Sequence, residues 1–139
     1  MMEVIGSKCV QDIFGVKRVT LQDIIDRGLF MPTQRGCGQG KRHRFNKFCV
    51  IRLSFFYKMV ELGFKRKNAS IACYALGDPA DFPRNPSFLV VNFTKDSSCI
   101  GASLIPHIIQ PYGGGSVFIL DASALIADIE EKFEKALRR

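Results

Sequence analysis

The sequence predicts an α+β fold: an N-terminal winged helix-turn-helix followed by a small three-stranded antiparallel sheet with a C-terminal helix. Three observations predict it. Apolar residues recur at helical spacing up to about residue 76 and at extended spacing between residues 87 and 120. A segment rich in glycine and cations, residues 35–45, interrupts the helical part. Pro79, Pro83 and Pro86 then stand between the two parts, so we place the domains at 1–78 and 79–139.

Two short helices are predicted first. Ser7 is a suitable N-cap for a helix from Lys8 to Phe14, which Gly15 is expected to end. After a turn at 15–17, a second helix continues to about Arg27, where Gly28 can take the left-handed closing conformation. Two short helices joined by a glycine-containing turn form a helix-turn-helix.

The segment 35–45 is predicted to be the wing. Pro32 prevents further helix before it. Glycines at 36, 38 and 40 favour a turn between two short extended arms, the second of which ends at Phe45. Four cations and one histidine lie along this segment, and such side chains can follow a phosphate backbone.

The remaining elements follow from the same signals. Asn46 is expected to cap a third helix, Lys47 to Leu62, which Gly63 stops, and a fourth helix covers Asn68 to Leu76. Strands are predicted at 87–93, 99–105 and 116–120, with a turn at 95–97. Asp121 is expected to cap the last helix, 122–137, which carries the apolar stripe Leu125, Ile126, Ile129, Phe133 and Leu137. This stripe either packs on the predicted sheet or joins two subunits.

The charge is unevenly distributed. Residues 1–78 contain 14 Lys and Arg against 6 Asp and Glu, a net charge of +8, whereas residues 79–139 contain 6 against 7, a net charge of −1. A cation excess confined to one half is typical of a module that binds nucleic-acid phosphates.

The N-terminal part resembles the MerR family over about residues 5–76. The matching residues are Gly15-Val16, Thr20-Leu21, Gly28-Leu29-Phe30, Pro32, Arg35, the basic segment, and Leu62-Gly63-Phe64. The resemblance implies a winged helix-turn-helix that binds double-stranded operator DNA as a homodimer and regulates transcription, with RNA polymerase or an effector as a possible further partner. Gln22, Asp23 and Ile24 stand where most members carry Arg-Tyr-Tyr, so a cation is missing and an anion is added.

The expected DNA contacts come from two places. The N-terminal end of the second helix would meet base edges and phosphates, and the wing would hold the backbone beside it. The predicted contacts are Lys17, Arg18, Thr20, Gln22, Arg35, Lys41, Arg42, His43 and Arg44.

Other classes of function have little support in the sequence. The two histidines have no nucleophile and acid in a recognisable pattern, so we expect no enzyme. The five cysteines include no close pair, so neither a metal site nor a disulfide framework is expected, and nothing indicates a cofactor. With no signal peptide and no run of roughly 20 apolar residues, the expected location is the cytoplasm, at a prokaryotic nucleoid and not a membrane.

Two alternatives stay open. One is an excisionase-like architectural protein, which also uses a compact winged module and bends DNA. The other is a protein-interaction or small-molecule-sensing module in which the helix-turn-helix is vestigial and residues 79–139 carry the function. Asp23 and Ile24 favour the second alternative, because they weaken the resemblance to a DNA-binding helix.

Overall fold

The computed structural model describes residues 3–36, 42–75, 88–93, 99–105 and 116–138. In chain order its elements are β1 (Val4–Gly6), α1 (Ser7–Phe14), α2 (Arg18–Asp26), β2 (Arg44–Asn46), α3 (Lys47–Glu61), α4 (Arg66–Ala75), β3 (Phe88–Phe93), β4 (Cys99–Ile105), β5 (Ser116–Asp121) and α5 (Ser123–Leu137). Within these ranges every helix is too short or too polar to cross a bilayer.

Glycines end the first helices as predicted. Gly15 has φ +64° and follows α1, and Gly28 has φ +72° and closes the turn after α2. Gly63 has φ +104° just beyond α3. A side chain with a Cβ is strained in this left-handed region, which is why the sequence signal is reliable.

The predicted N-caps have mixed outcomes. The side chain of Asn46 accepts a hydrogen bond from the Cys49 backbone N–H at 2.8 Å, so this cap is confirmed. Ser7 is instead the first residue of α1, and Asp121 is the last residue of β5. Gly6 and Ala122 are the caps at these two places, and neither supplies a side-chain hydrogen bond. At the start of α1 the reason is that Gly6 also belongs to β1, whose pairing with β2 sets the path of the chain there.

A two-stranded antiparallel sheet joins the N-terminus to the base of the wing. β1 pairs with β2 in the register Val4↔Asn46, Ile5↔Phe45 and Gly6↔Arg44. Gln34 and Arg44 form a further antiparallel bridge, with N–O distances of 3.1 and 2.9 Å, which closes the base of the wing hairpin. The segment is thus held on two sides, although its tip, residues 37–41, lies outside the described residues.

The core surrounds α3. This helix buries residues on nearly every side, so it needs apolar partners in several directions. α4 covers one side and α5 another, and α5 also contacts α1 and β1. The residues that α5 contributes to the core are Ile126, Ile129, Phe133 and Ala136, and its N-cap Ala122 is buried as well. An ion pair between Lys47 and Glu130, with an N–O distance of 3.6 Å, links α3 to α5.

The other strands pair in the order β4–β3–β5, antiparallel throughout. In register, Val91 of β3 stands opposite Ala102 of β4 and Phe118 of β5. The pairing of β3 with β4 shifts between Asn92 and Phe93. β4 lies beside α4, which places this end of the chain against the helices.

The predicted fold class is wrong. The sequence led us to expect a winged helix-turn-helix followed by a three-stranded sheet that α5 would complete. The described part is instead a helix-rich α+β fold: five helices with the two-stranded sheet β1–β2 built into their body, while the strands β4–β3–β5 lie beside α4 and not on α5. α5 packs on α1, α3 and β1, so its stripe neither closes a sheet unit nor lies free for a second subunit. An amphipathic stripe shows that a helix is covered on one side and does not show by what.

The predicted domain boundary at residue 78 and the three prolines after it lie in 76–87, outside the described residues. The boundary therefore stays a prediction. α5 comes after it in the chain, yet its buried residues belong to the same core as α1 and α3.

Candidate nucleic-acid interface

A cleft of about 610 Å³ lies where α1, α2 and the wing meet. The start of α1 forms one wall, the first turns of α2 form the second, and the two arms of the wing form the third. We call it the basic cleft. Its described lining residues are Gly6, Ser7, Lys8, Gln11, Arg18, Leu21, Gln22, Gly36, Arg42, His43 and Arg44.

The basic cleft is lined by four cations and by no carboxylate among the described residues. Arg18, Arg42 and Arg44 are exposed, and none of them forms an ion pair with a described residue. Lys8 is 3.9 Å from Asp12, but its side chain is 85% exposed. Cations that face one cavity without neutralising partners repel one another, so an anion in the cleft would relieve this repulsion.

The start of α1 adds partial positive charge to the same wall. Its N-cap is Gly6, which provides no side-chain acceptor for the first N–H groups of the helix. The Arg44 guanidinium lies close by, since a Cβ on Gly6 would be 3.6 Å from its Nη1 atom. Backbone N–H groups and a guanidinium in one place are suited to phosphate oxygens.

His43 ties the wing to α2. The Gly36 N–H donates to His43 Nδ1 at 2.9 Å, so Nδ1 carries no hydrogen and the ring proton is on Nε2. Nε2 then donates to Gln22 Oε1 at 3.2 Å. The orientation of the Gln22 amide is set by its Nε2 group, which donates to Asp26 Oδ1 at 2.8 Å. His43 is 9% exposed, and its two hydrogen bonds connect the wing to α2.

The anion that departs from the family pattern, Asp23, is neutralised inside the molecule. Its carboxylate accepts from Arg27 at 2.9 Å and from Arg66 of α4 at 3.1 Å. The hydrogen bond from Arg27 holds the pKa of Asp23 below its usual value, with a further contribution from the charge of Arg66. Asp23 therefore fixes α2 to α4 and leaves less negative charge on the helix than the sequence suggests.

The structure brings five of the nine predicted contact residues into the basic cleft: Arg18, Gln22, Arg42, His43 and Arg44. Lys17 and Thr20 lie on α2 or just before it but outside the lining. Arg35 is 3.7 Å from Asp26, an exposed pair beside the cleft. Lys41 lies outside the described residues.

The sequence did not indicate Gly6, Ser7 and Lys8 as part of the site. They reach the cleft because Gly6 pairs with Arg44 in the β1–β2 sheet. Strands of three residues separated by about forty residues leave no periodic signal. A charged residue such as Lys8 at the start of a helix is common, so it gives no signal of a site.

The described thiols and carboxylates show no second chemical site. Burial raises the pKa of the Cys49 thiol and raises that of Cys73 to about 12, so both thiols are poor nucleophiles and poor metal ligands. Within the described ranges, no three His, Cys, Asp or Glu side chains lie close enough together to hold a metal ion.

Comparison with protein-family models finds no family that matches the chain. No curated protein matches it either. The resemblance to the MerR family thus rests on the residues quoted above and stays a prediction.

Proposed function

We propose that this protein binds double-stranded DNA through the basic cleft and α2, and that it acts as a transcriptional regulator of the MerR type. The observation that supports the proposal is the convergence of Lys8, Arg18, Arg42 and Arg44 on one cleft without a described carboxylate. Arg42 and Arg44 come 24 and 26 residues after Arg18, so their convergence with α1 and α2 is a property of the fold. A charged loop that only contacts water would not require cations from three elements to converge on one cleft.

The positions of the cations indicate which of them would contact phosphates and which would contact bases. Arg42 and Arg44 belong to the wing and, with Lys8 and the start of α1, would hold phosphates of the backbone. Arg18 is the first residue of α2, where a helix end can reach base edges in the major groove. Phosphate contacts fix the register of the protein on the duplex, and base contacts give sequence preference.

A second copy of the chain belongs to this proposal. One module offers few base contacts, whereas two copies on neighbouring half-sites add their binding free energies. The stripe of α5 cannot supply the dimer contact, because Ile126, Ile129 and Phe133 are buried in its own subunit. The dimer contact would therefore use another surface.

The test is the salt dependence of binding to a fluorescently labelled random duplex of about 30 base pairs. We expect measurable affinity at low salt and a steep linear fall of log K with log salt concentration. Arg42→Ala and Arg44→Ala should each make the slope shallower by about one unit, because each removes about one released counterion.

Lys58→Ala is the matched control. It removes the same charge, but Lys58 lies in the last turn of α3, 3.8 Å from Glu61, and is not among the residues that line the basic cleft. Its slope should equal that of the unaltered protein. Absence of affinity at low salt, or equal slopes for Lys58→Ala and the two wing variants, would overturn the proposal and favour a vestigial helix-turn-helix.

A further inference from the structure

The side chains along α2 are mostly committed to partners within the molecule. Gln22 is bound to His43 and Asp26, Asp23 to Arg27 and Arg66, and Asp26 lies 3.7 Å from Arg35. Leu21, Ile24 and Ile25 are buried. Among the described residues of α2, this leaves Arg18, Val19 and the half-buried Thr20 to read a base sequence.

Val19 is 78% exposed, the most exposed large apolar side chain among the described residues outside β3, β4 and β5. It is β-branched, so its χ1 angle is nearly fixed in a helix and little rotamer entropy is lost when it is covered. A valine in the first turn of a helix next to Arg18 contributes nothing to the core. Its exposed methyl groups are instead available to an apolar partner.

Along the exposed face of α2, the side chains near the two ends differ in whether they have partners within the molecule. Val19, Asp23 and Asp26 are spaced by four and three residues and so share this face. In its later turns Asp23 pairs with Arg27 and Arg66, and Asp26 lies near Arg35, so these carboxylates are already engaged within the molecule. In the N-terminal turn Arg18 and Val19 are exposed, and Arg18 forms no ion pair with a described residue, so α2 would meet DNA by this end.

We propose that Val19 determines specificity by contacting the C5 methyl group of a thymine in the major groove. This inference rests on the proposed DNA binding and names what the first turn of α2 recognises: Val19 lies outside the lining of the basic cleft but follows Arg18, which is part of that lining. Among the four bases, thymine alone presents a methyl group in the major groove, and apolar side chains distinguish it by contact. Val19 is a stiff apolar side chain at the N-terminal end of α2, and the thymine methyl group is the apolar group on the DNA that it would contact.

The experiment uses selection followed by replacement of single bases. Duplexes that the unaltered protein enriches from a randomised pool are synthesised again with deoxyuridine in place of one thymine at a time, which removes only the methyl group. At one thymine of each half-site we expect an affinity about fourfold lower, the effect of losing one buried methyl group. Val19→Ser should abolish this difference between thymine and uracil at that position.

Val19→Thr is the matched control, because threonine keeps one methyl group in the same place and should retain the preference for thymine. Both substitutions change an exposed side chain, so the urea midpoint of unfolding should stay unchanged for each. Equal affinity for thymine and uracil at every position, or an undiminished preference in Val19→Ser, would overturn the role of Val19 while DNA binding still stands. If the proposed function were wrong, the protein would bind no duplex at low salt, and the selection would enrich no sequence.

Discussion

Tyr57 on α3 combines a favourable ring with an unfavourable hydroxyl. The ring centroid lies 5.2 Å from that of Phe14 and 5.6 Å from that of Phe56, so the apolar body is well packed. The hydroxyl is buried and has no hydrogen-bond partner among the described residues. Burial also raises the pKa of Tyr57 to about 12. An unpaired buried hydroxyl costs free energy that the phenyl ring alone would not.

We therefore expect Tyr57→Phe to leave the free energy of unfolding at pH 7 unchanged or to increase it by about 1 kcal/mol. The pH dependence should change as well. The pKa is near 10 when the chain is unfolded and about 12 when it is folded, so ionisation of unfolded Tyr57 lowers stability as the pH rises from 10 towards 12. Urea titrations at pH 7 and pH 11 check both points.

The loss in the free energy of unfolding at alkaline pH should be smaller in Tyr57→Phe than in the unaltered protein, because the contribution of Tyr57 is removed. Cys73 contributes a loss of the same sign in both proteins, since burial raises its pKa to about 12 as well, so the difference between the two isolates Tyr57. If Tyr57→Phe lowered the free energy of unfolding at pH 7 by more than about 1 kcal/mol, the hydroxyl would have a favourable interaction in the folded protein.

At the scale of single residues, the sequence predicted the features that are set by residues close by in the chain, such as helix caps and the conformation of glycines. The cap by Asn46 and the left-handed glycines at 15 and 28 are local, and each is present. The sequence predicts DNA contacts for Gln22, near the start of the second helix, and for His43, among the cations of the wing. They are 21 residues apart and bind each other, a relation that no local pattern expresses.

At the scale of elements, the position of the wing relative to α2 depends on two contacts. β2 pairs with β1 at the base of the wing, and the His43 ring joins the wing to Gln22 and to the Gly36 N–H. Arg42 and Arg44 flank His43 in the sequence, so their positions depend on it. The sequence could predict that this segment contains a hairpin, but not that a strand at residues 4–6 would complete it.

His43→Ala should loosen the wing and weaken DNA binding, although the ring itself is buried. Two hydrogen bonds are lost and their partners are left unpaired, which costs about 1–3 kcal/mol of stability for each buried group that water cannot reach. Binding to a random duplex should weaken, because Arg42 and Arg44 are no longer held beside Arg18. Urea denaturation and fluorescence anisotropy measure the two effects.

His43→Asn is the informative comparison, because its Oδ1 atom can replace Nδ1 as the acceptor for the Gly36 N–H. It should retain more stability and more affinity than His43→Ala. If His43→Ala kept both properties of the unaltered protein, the wing would be positioned by the β1–β2 pairing alone.

At the scale of the whole molecule, the ends of the chain are held together by the core. β1, near the N-terminus, and α5, near the C-terminus, are in contact, and both pack with α1. The sequence predicted the helix and its apolar stripe but assigned it the wrong partner. The extended pattern just before α5 suggested a nearby sheet, whereas the deciding factor is that α3 is apolar on several faces and must be covered.

Because of this packing, we expect residues 1–78 alone to fail to fold stably, even though they include α1 to α4 and the whole basic cleft. Without α5, the side chains that Ile126, Ile129 and Phe133 cover would be exposed to water. Far-UV circular dichroism and urea titration of this fragment check the expectation, and a peptide of residues 121–139 should restore helicity when it is added.

A point substitution tests the same dependence in the full chain. Phe133 is 1% exposed, so Phe133→Ala should lower the free energy of unfolding by about 3–5 kcal/mol through lost burial and the cavity left behind. Amide hydrogens of α3 should then exchange faster, because α3 and α5 unfold as one cooperative unit. Lys132 is an exposed neighbour that pairs with Asp128 at 3.0 Å, so Lys132→Ala should change stability by about 0.5 kcal/mol or less. If Phe133→Ala instead accelerated exchange in α5 and left α3 protected, the helices before residue 78 would form an independent domain, as their sequence first suggested.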